Sequence, residues 1–377
     1  MKKHVFTVIL ILLCLFSVLV LAEPRAYTYG GSGDDNATDL AVSADGRIVL
    51  AGYTNSADGT LATRTKTGRS GWALCVDAQG NVLWSFCTRL GNHDTLRLPV
   101  FHEDGSVTLM LEAEWLEAGK QELELIRLDA RGELLSRRTL LLADNDESYV
   151  FVSRATDEGY ILNRISRDLQ KTEYTLFDWD GERLRELDAK RESGVHVRAQ
   201  DHLVRVEGDT GTLMGVDEAG NETPLAHVFD VEKDRRLSAR IWSLISLADG
   251  GAIGAGVAGR DGEYKGRLVR WDAQGNLVFD WQMVGETELD ALACTANGFA
   301  AVGYVEGTET ASIAEWTLTF FDEAGIRVKS IPLGDAMWGD NKIAQLPDGS
   351  LVIVQRVDNE GSSSNTRVTV VPIEDIP

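Results

Sequence analysis

A unit of roughly 50 residues returns along this chain, and a period of that length means each unit buries its apolar face against its neighbour. The first half of the unit is an apolar stretch, a tight Asp-Gly turn and a second apolar stretch. It reads LAVSADGRIVLAGY (Leu40 to Tyr53), LPVFHEDGSVTLML (Leu98 to Leu111), VFVSRATDEGYILN (Val150 to Asn163), SLISLADGGAIGAG (Ser243 to Gly256), ALACTANGFAAVGY (Ala291 to Tyr304) and IAQLPDGSLVIVQ (Ile343 to Gln355). A degenerate copy, VHVRAQDHLVRVE, runs from Val195 to Glu207. Asp-Gly and Asn-Gly supply the positive φ angles of two-residue turns, so each copy predicts an antiparallel hairpin.

The second half is a hairpin with a D-x-x-G turn, as in WALCVDAQGNVLW (Trp72 to Trp84), LELIRLDARGELLS (Leu123 to Ser136) and RLVRWDAQGNLVF (Arg267 to Phe279). Its aspartates are Asp77, Asp129, Asp178, Asp217, Asp272 and Asp322. Two hairpins per unit predict a four-stranded meander. The last unit lacks an outer strand, and AYTYGGSGDD (Ala26 to Asp35) has the pattern of one, comparable with WSFCTRLGNHD (Trp84 to Asp94). The expected fold is therefore all-β: a seven-bladed β-propeller of four-stranded antiparallel blades, its ring closed by the mature N-terminal strand. Such closure removes the open sheet edges that invite aggregation.

Lys2 and Lys3 precede an apolar run from Val5 to Leu21, followed by Ala22 and Glu23-Pro24. That is the pattern of a secretory signal peptide with cleavage after Ala22. Residues 1–22 are thus expected to be a leader and 23–377 one propeller domain, secreted or displayed at the cell surface. Only if the leader stays uncleaved does a membrane enter as a partner. Lys and Arg total 37 against 59 Asp and Glu, a net charge of −22. A surface of that sign repels phosphate backbones and excludes nucleic acid as a partner. Beyond the leader, Cys75, Cys87 and Cys294 show no CxxC or zinc spacing and are expected to be buried thiols.

The string GGSGDD, then DLAVSADGRIVLAGYTNS and GWALCVDAQGNVLW, resembles the repeat of secreted bacterial seven-bladed propeller proteins of the SBBP or delta-60 type. The resemblance is close from Tyr29 to Trp84 and reduces to pattern beyond it. It implies the fold and an extracytoplasmic location, and no defined activity. The D-x-x-G-x-x-x-W stretch from Asp77 to Trp84 is similar to the tryptophan docking motif of quinoprotein and outer-membrane assembly propellers. That similarity implies a scaffold as an alternative. Only the first unit keeps the Trp, with Phe279 in its place in the fifth.

No G-x-S-x-G, H-E-x-x-H or P-loop occurs, and His93, His102, His196, His202 and His227 are scattered, so no cofactor is assigned and the chain reads as non-enzymatic. Acids recur in the loops that reach the innermost strands: Asp34, Asp35, Asp94, Asp146, Glu147, Glu288, Asp290, Asp335 and Asp340. Hard oxygen ligands on one rim would hold Ca²⁺ or a cationic ligand. The competing expectation is that each Asp bonds the backbone N–H groups of its own turn. Asp178-Trp179-Asp180-Gly181 has part of a calcium-loop pattern but also serves as a hairpin turn.

The longest loop of that face, Asn55 to Ser70, carries Arg64, Lys66 and Arg69, and Trp115 falls outside the strand pattern. An exposed aromatic beside polar groups grips a sugar or peptide. These four residues are the expected ligand-binding set, with a protein or glycan of the cell envelope or surroundings as partner. Trp84, Trp242 and Trp316 are expected in the core between blades. The alternative function is a polysaccharide hydrolase or lyase working over the central channel, which requires converging acids of perturbed pKa.

Overall fold

Among the described residues each turn predicted from Asp-Gly or D-x-x-G reverses the chain, and the strands flanking it pair; the turn predicted at Asp217 lies outside the described residues. In the D-x-x-G turns the first carboxylate fixes the backbone. Asp77 Oδ1 accepts the N–H of Gln79 at 2.9 Å and of Asn81 at 2.8 Å. Asp129, Asp178, Asp272 and Asp322 make the same two bonds within their own turns. The closing glycine has a left-handed backbone, φ +80° at Gly80 and +78° at Gly325, which other residues adopt only with strain.

The structure is a computed structural model and describes residues 23–61, 68–88, 90, 92–115, 118–144, 147–156, 158–168, 171–187, 195–199, 202–207, 212–216, 222–227, 237–260, 263–305, 313–337, 341–359 and 363–377. Among them the chain is all-β, and the strands form four-stranded antiparallel sheets. Six consist of consecutive strands. One holds β2 (Asp35–Val42), β3 (Ile48–Thr54), β4 (Ser70–Val76) and β5 (Val82–Cys87). Next come β6 (His93–Phe101), β7 (Val107–Trp115), β8 (Lys120–Leu128) and β9 (Leu134–Asp144), then β10 (Ser148–Ala155), β11 (Gly159–Ser166), β12 (Thr172–Asp178) and β13 (Arg183–Leu187).

The degenerate unit supplies β14 (Val195–Ala199), β15 (His202–Glu207), β16 (Thr212–Val216) and β17 (Glu222–His227). The remaining two of the six are β18 (Leu237–Ser246), β19 (Ala252–Arg260), β20 (Glu263–Trp271), β21 (Leu277–Gln282), and β22 (Glu286–Thr295), β23 (Gly298–Val305), β24 (Ile313–Asp322), β25 (Arg327–Met337). A further sheet joins the two chain ends: β26 (Lys342–Gln345), β27 (Leu351–Asn359) and β28 (Ser363–Val371) are completed by β1 (Arg25–Tyr29), from Arg25↔Val370 to Tyr29↔Thr366.

The core lies between sheets, which explains why the second strands read as unbroken apolar runs. Ile48 and Leu50 of β3 face Val352, Val354 and Val368. Val49 and Ala51, on the other face of the same strand, meet Leu96, Leu109 and Leu111. Met110 and Leu125 pack on Tyr160 and Leu162, and Ala300 and Val302 share a cluster with Leu351 and Ile353. First strands lie beside one another, in contacts running β10, β6, β2, β26, β22, β18, β14.

Aromatic side chains of the outer strands also cover the turn glycines of the neighbouring sheet. Tyr27 lies over Gly80, Trp84 over Gly132, and Phe279 with Trp281 over Gly325. Trp281 Nε1 donates to the Ala324 carbonyl at 3.2 Å, and the Tyr29 hydroxyl donates to the Gly80 carbonyl at 2.9 Å. Aromatic cover of a turn glycine thus occurs at several sheet junctions, from Tyr and Phe as well as Trp. Among the described residues no helix is long and apolar enough to cross a membrane. Cys75 is buried as expected, but Cys87 is only half-buried and Cys294 is exposed, contrary to expectation.

Candidate functional site

Among the described residues the Asp-Gly and D-x-x-G turns of a sheet lie at one end of it, so its first strand begins at the other. The first strands β2, β6, β10, β18 and β22 carry β-bulges, which insert an extra residue and re-aim its side chain. In β18, Ile241 pairs with Gly256 and Ser243 with Ala255, so Trp242 is the extra residue. In β22, Leu289 pairs with Gly303 and Ala291 with Val302, which leaves Asp290 as the extra one.

Trp242 is thereby 41% exposed, whereas Trp84 and Trp316 are buried as expected for core residues. The Arg240 guanidinium lies 5.5 Å from the centre of its ring, a cation–π contact. Across the strand boundary, Glu288 takes a hydrogen bond from the Trp242 side chain. Burial, helped by the negative charge of Asp290, pushes Glu288 up to about 7, against the opposing pull of Trp242 and Arg240. Asp290 Oδ2 accepts the Asn341 backbone N–H at 3.0 Å and its side-chain amide at 2.7 Å. The group combines an exposed aromatic face, a guanidinium, and a carboxyl that exchanges its proton near neutral pH.

The other predicted residues are placed separately. Asp35 is fully buried and accepts the Gly31 N–H at 2.7 Å, the Ser56 hydroxyl at 2.6 Å and the Thr54 hydroxyl. Asp94, also buried, accepts the Thr88 hydroxyl at 2.7 Å and the Leu90 N–H at 3.0 Å. Asp34 accepts the Ser364 hydroxyl at 2.9 Å and pairs with Arg356 at 3.3 Å, bridging to the sheet of the chain ends. These carboxylates bind turns and strands, and among the described residues no three His, Cys, Asp or Glu side chains converge as a metal-ligand set. Asp146, Asp340, Arg64 and Lys66 lie outside the described residues.

Trp115 does not stand in a loop: it ends β7 and packs, half-buried, against the cluster around Leu96 and Leu111. Arg69 stacks over the Tyr53 ring at 4.6 Å and bridges to His93. Sequence patterning missed Trp242 and Phe151, the second 38% exposed on β10. Both sit inside apolar strand patterns that read as core.

No family model matches the chain, and no curated protein matches it. The repeat resemblance therefore stays at the level of pattern. Solved structures similar to it include the β-propeller domain of the trilobed protease from Pyrococcus furiosus, at 12% identity and TM-score 0.47, covering 88% of this chain and 90% of that one. An α-L-arabinofuranosidase from Fusarium graminearum, solved with an iminosugar inhibitor, matches at 12% identity and TM-score 0.48, covering 93% and 99%. Sqt1 of Chaetomium thermophilum matches at 12% and 0.47, covering 93% and 98%. At these values none of them lends this chain an activity, a ligand or a partner.

Proposed function

We propose that the chain is an exported seven-bladed β-propeller, closed by its own β1, that binds a glycan where its first strands begin. The observation that carries the binding reading is Trp242, lifted out of its strand by a bulge beside Arg240, Glu288 and Asp290. An aromatic face stacks on the C–H face of a sugar ring, while charged groups around it hydrogen-bond the hydroxyls. The β1–β28 pairing and the run of first-strand contacts support the ring. The lysines and apolar run of residues 1–22 support export, which N-terminal sequencing of the protein from its producer tests.

A glycan panel probed with the parent and with Trp242→Ala tests the binding. The expected result is a glycan held by the parent and weakened at least about tenfold in the variant. Equal capture by both proteins, or capture of a protein partner alone, counts against it.

A second reading, a polysaccharide hydrolase or lyase, is favoured by Glu288 alone. A carboxyl shifted to about 7 beside Asp290 has the properties of a general acid. On that reading Glu288→Gln abolishes turnover of the captured glycan and leaves its binding in place. Binding with no turnover by the parent selects the first reading.

A further inference from the structure

A second recess opens between the sheet of β6–β9 and β10. Its volume is about 230 Å³, and Arg69, His93, Glu112, Glu114, Gln121 and Phe151 line it. It shares no residue with the Trp242 group.

The polar groups of this cavity are incompletely matched. Arg69 is held by its backbone, donating to the Asn92 carbonyl and accepting from the Asp94 N–H, both at 3.1 Å. Its guanidinium rests on Tyr53, yet its Nε is buried without a hydrogen-bond partner among the described residues. Glu112 accepts the Val152 N–H at 3.0 Å. Its other oxygen lies 3.8 Å from Arg97, a guanidinium committed more closely to Asp39 at 2.9 Å. Burial pushes the Glu112 carboxyl up against the pull of Arg97. Among the described residues the Glu114 side chain has a long 3.4 Å contact from Gln121, whose carbonyl oxygen accepts the Val150 N–H at 3.1 Å. The cavity thus holds more carboxylate than cation, beside the partly exposed ring of Phe151.

We infer that this cavity binds a small organic compound carrying a primary ammonium and, a few bonds away, an oxygen acceptor. The ammonium lies between Glu112 and Glu114 against the Phe151 ring, where ion pairing and cation–π attraction act together. The acceptor oxygen takes an N–H of the Arg69 guanidinium, which lines the cavity. A free hexosamine and the amide of an amino acid both present this chemistry at a matching size.

Calorimetric titration of the whole chain with glucosamine, lysine amide, glucose and N-acetylglucosamine tests it. At least one of the two amines is expected to bind at least about tenfold more tightly than both uncharged sugars. Which amine it is identifies the source of the ammonium. Glu112→Gln and Glu114→Gln keep side-chain size and are each expected to weaken that amine at least about tenfold, while Trp242→Ala leaves it unchanged. Trp242→Ala thereby separates this site from the glycan reading. Amines that bind no better than glucose, or Gln variants that unfold at the parent midpoint and bind like the parent, overturn the inference.

Discussion

Asp35 shows what a carboxylate at the start of a first strand does. With an amide and two hydroxyls donating to it and no exposed surface, it is the organising acceptor of the Gly30–Asp35 loop. Asp35→Ala removes the acceptor that these three donors share, so a loss of about 3 kcal/mol is expected in denaturant unfolding. A change within error removes this structural role. Glu288 is the opposite case, an acid that its surroundings disfavour as an anion. With its value raised from 4.5 to about 7, the folded state binds more protons than the unfolded state between those pH values. Stability therefore falls as pH rises through that window. Glu288→Gln is expected to flatten that fall and to be about 1–2 kcal/mol more stable than the parent at pH 8, a figure that allows for solvent screening. Unfolding curves of both proteins at pH 4 and pH 8 give the comparison, and an unchanged difference between parent and variant refutes it.

At the scale of the element, the D-x-x-G glycines Gly80, Gly132, Gly181 and Gly325 have two constraints, a left-handed backbone and the neighbouring sheet above them. At Gly325 an added Cβ would meet Phe279 Cζ and Trp281 Cδ1 at 2.7 Å, whereas at Gly46, φ +84°, it would meet nothing within 4 Å. Gly46→Ala is expected to cost about 1 kcal/mol from backbone strain. Gly325→Ala is expected to cost about 3 kcal/mol, because aromatic packing must also shift. Equal unfolding midpoints for the two variants mean that the aromatic cover carries no stability. The hairpins were legible because turn chemistry is local: the Asp and Gly that make each turn lie within four residues of one another. The site was not, because a bulge breaks the two-residue alternation on which strand reading depends. Trp242 therefore scans as a core position, and Trp115, which ends a strand longer than its pattern, scans as a loop residue. Aromatic cover of the turn glycines was equally hidden, since Tyr27, Trp84 and Phe279 act on a sheet about 50 residues further along the chain.

Across the whole molecule, β1 is the element whose removal tests the architecture. It supplies the outer strand to β28, buries Tyr29 to 3% exposure, and reaches the next sheet through the Tyr29 hydroxyl and the Tyr27 ring on Gly80. A chain lacking residues 23–29 loses the contacts of Tyr29 alone at about 2–3 kcal/mol, and it opens the edge of β28 to other chains. The expected outcome is a lower unfolding midpoint together with concentration-dependent association in sedimentation. A synthetic peptide of residues 23–34 restores both, because the groove it fills is already shaped by β28 and by the turn at Gly80. Were β1 a peripheral tail, the shortened chain would unfold at the parent midpoint and remain monomeric. Restoration by the peptide, and not by one with Tyr27 and Tyr29 replaced by alanine, assigns the effect to these two side chains. It then follows that the chain ends hold adjacent sheets together by the same aromatic-on-glycine packing found at internal junctions.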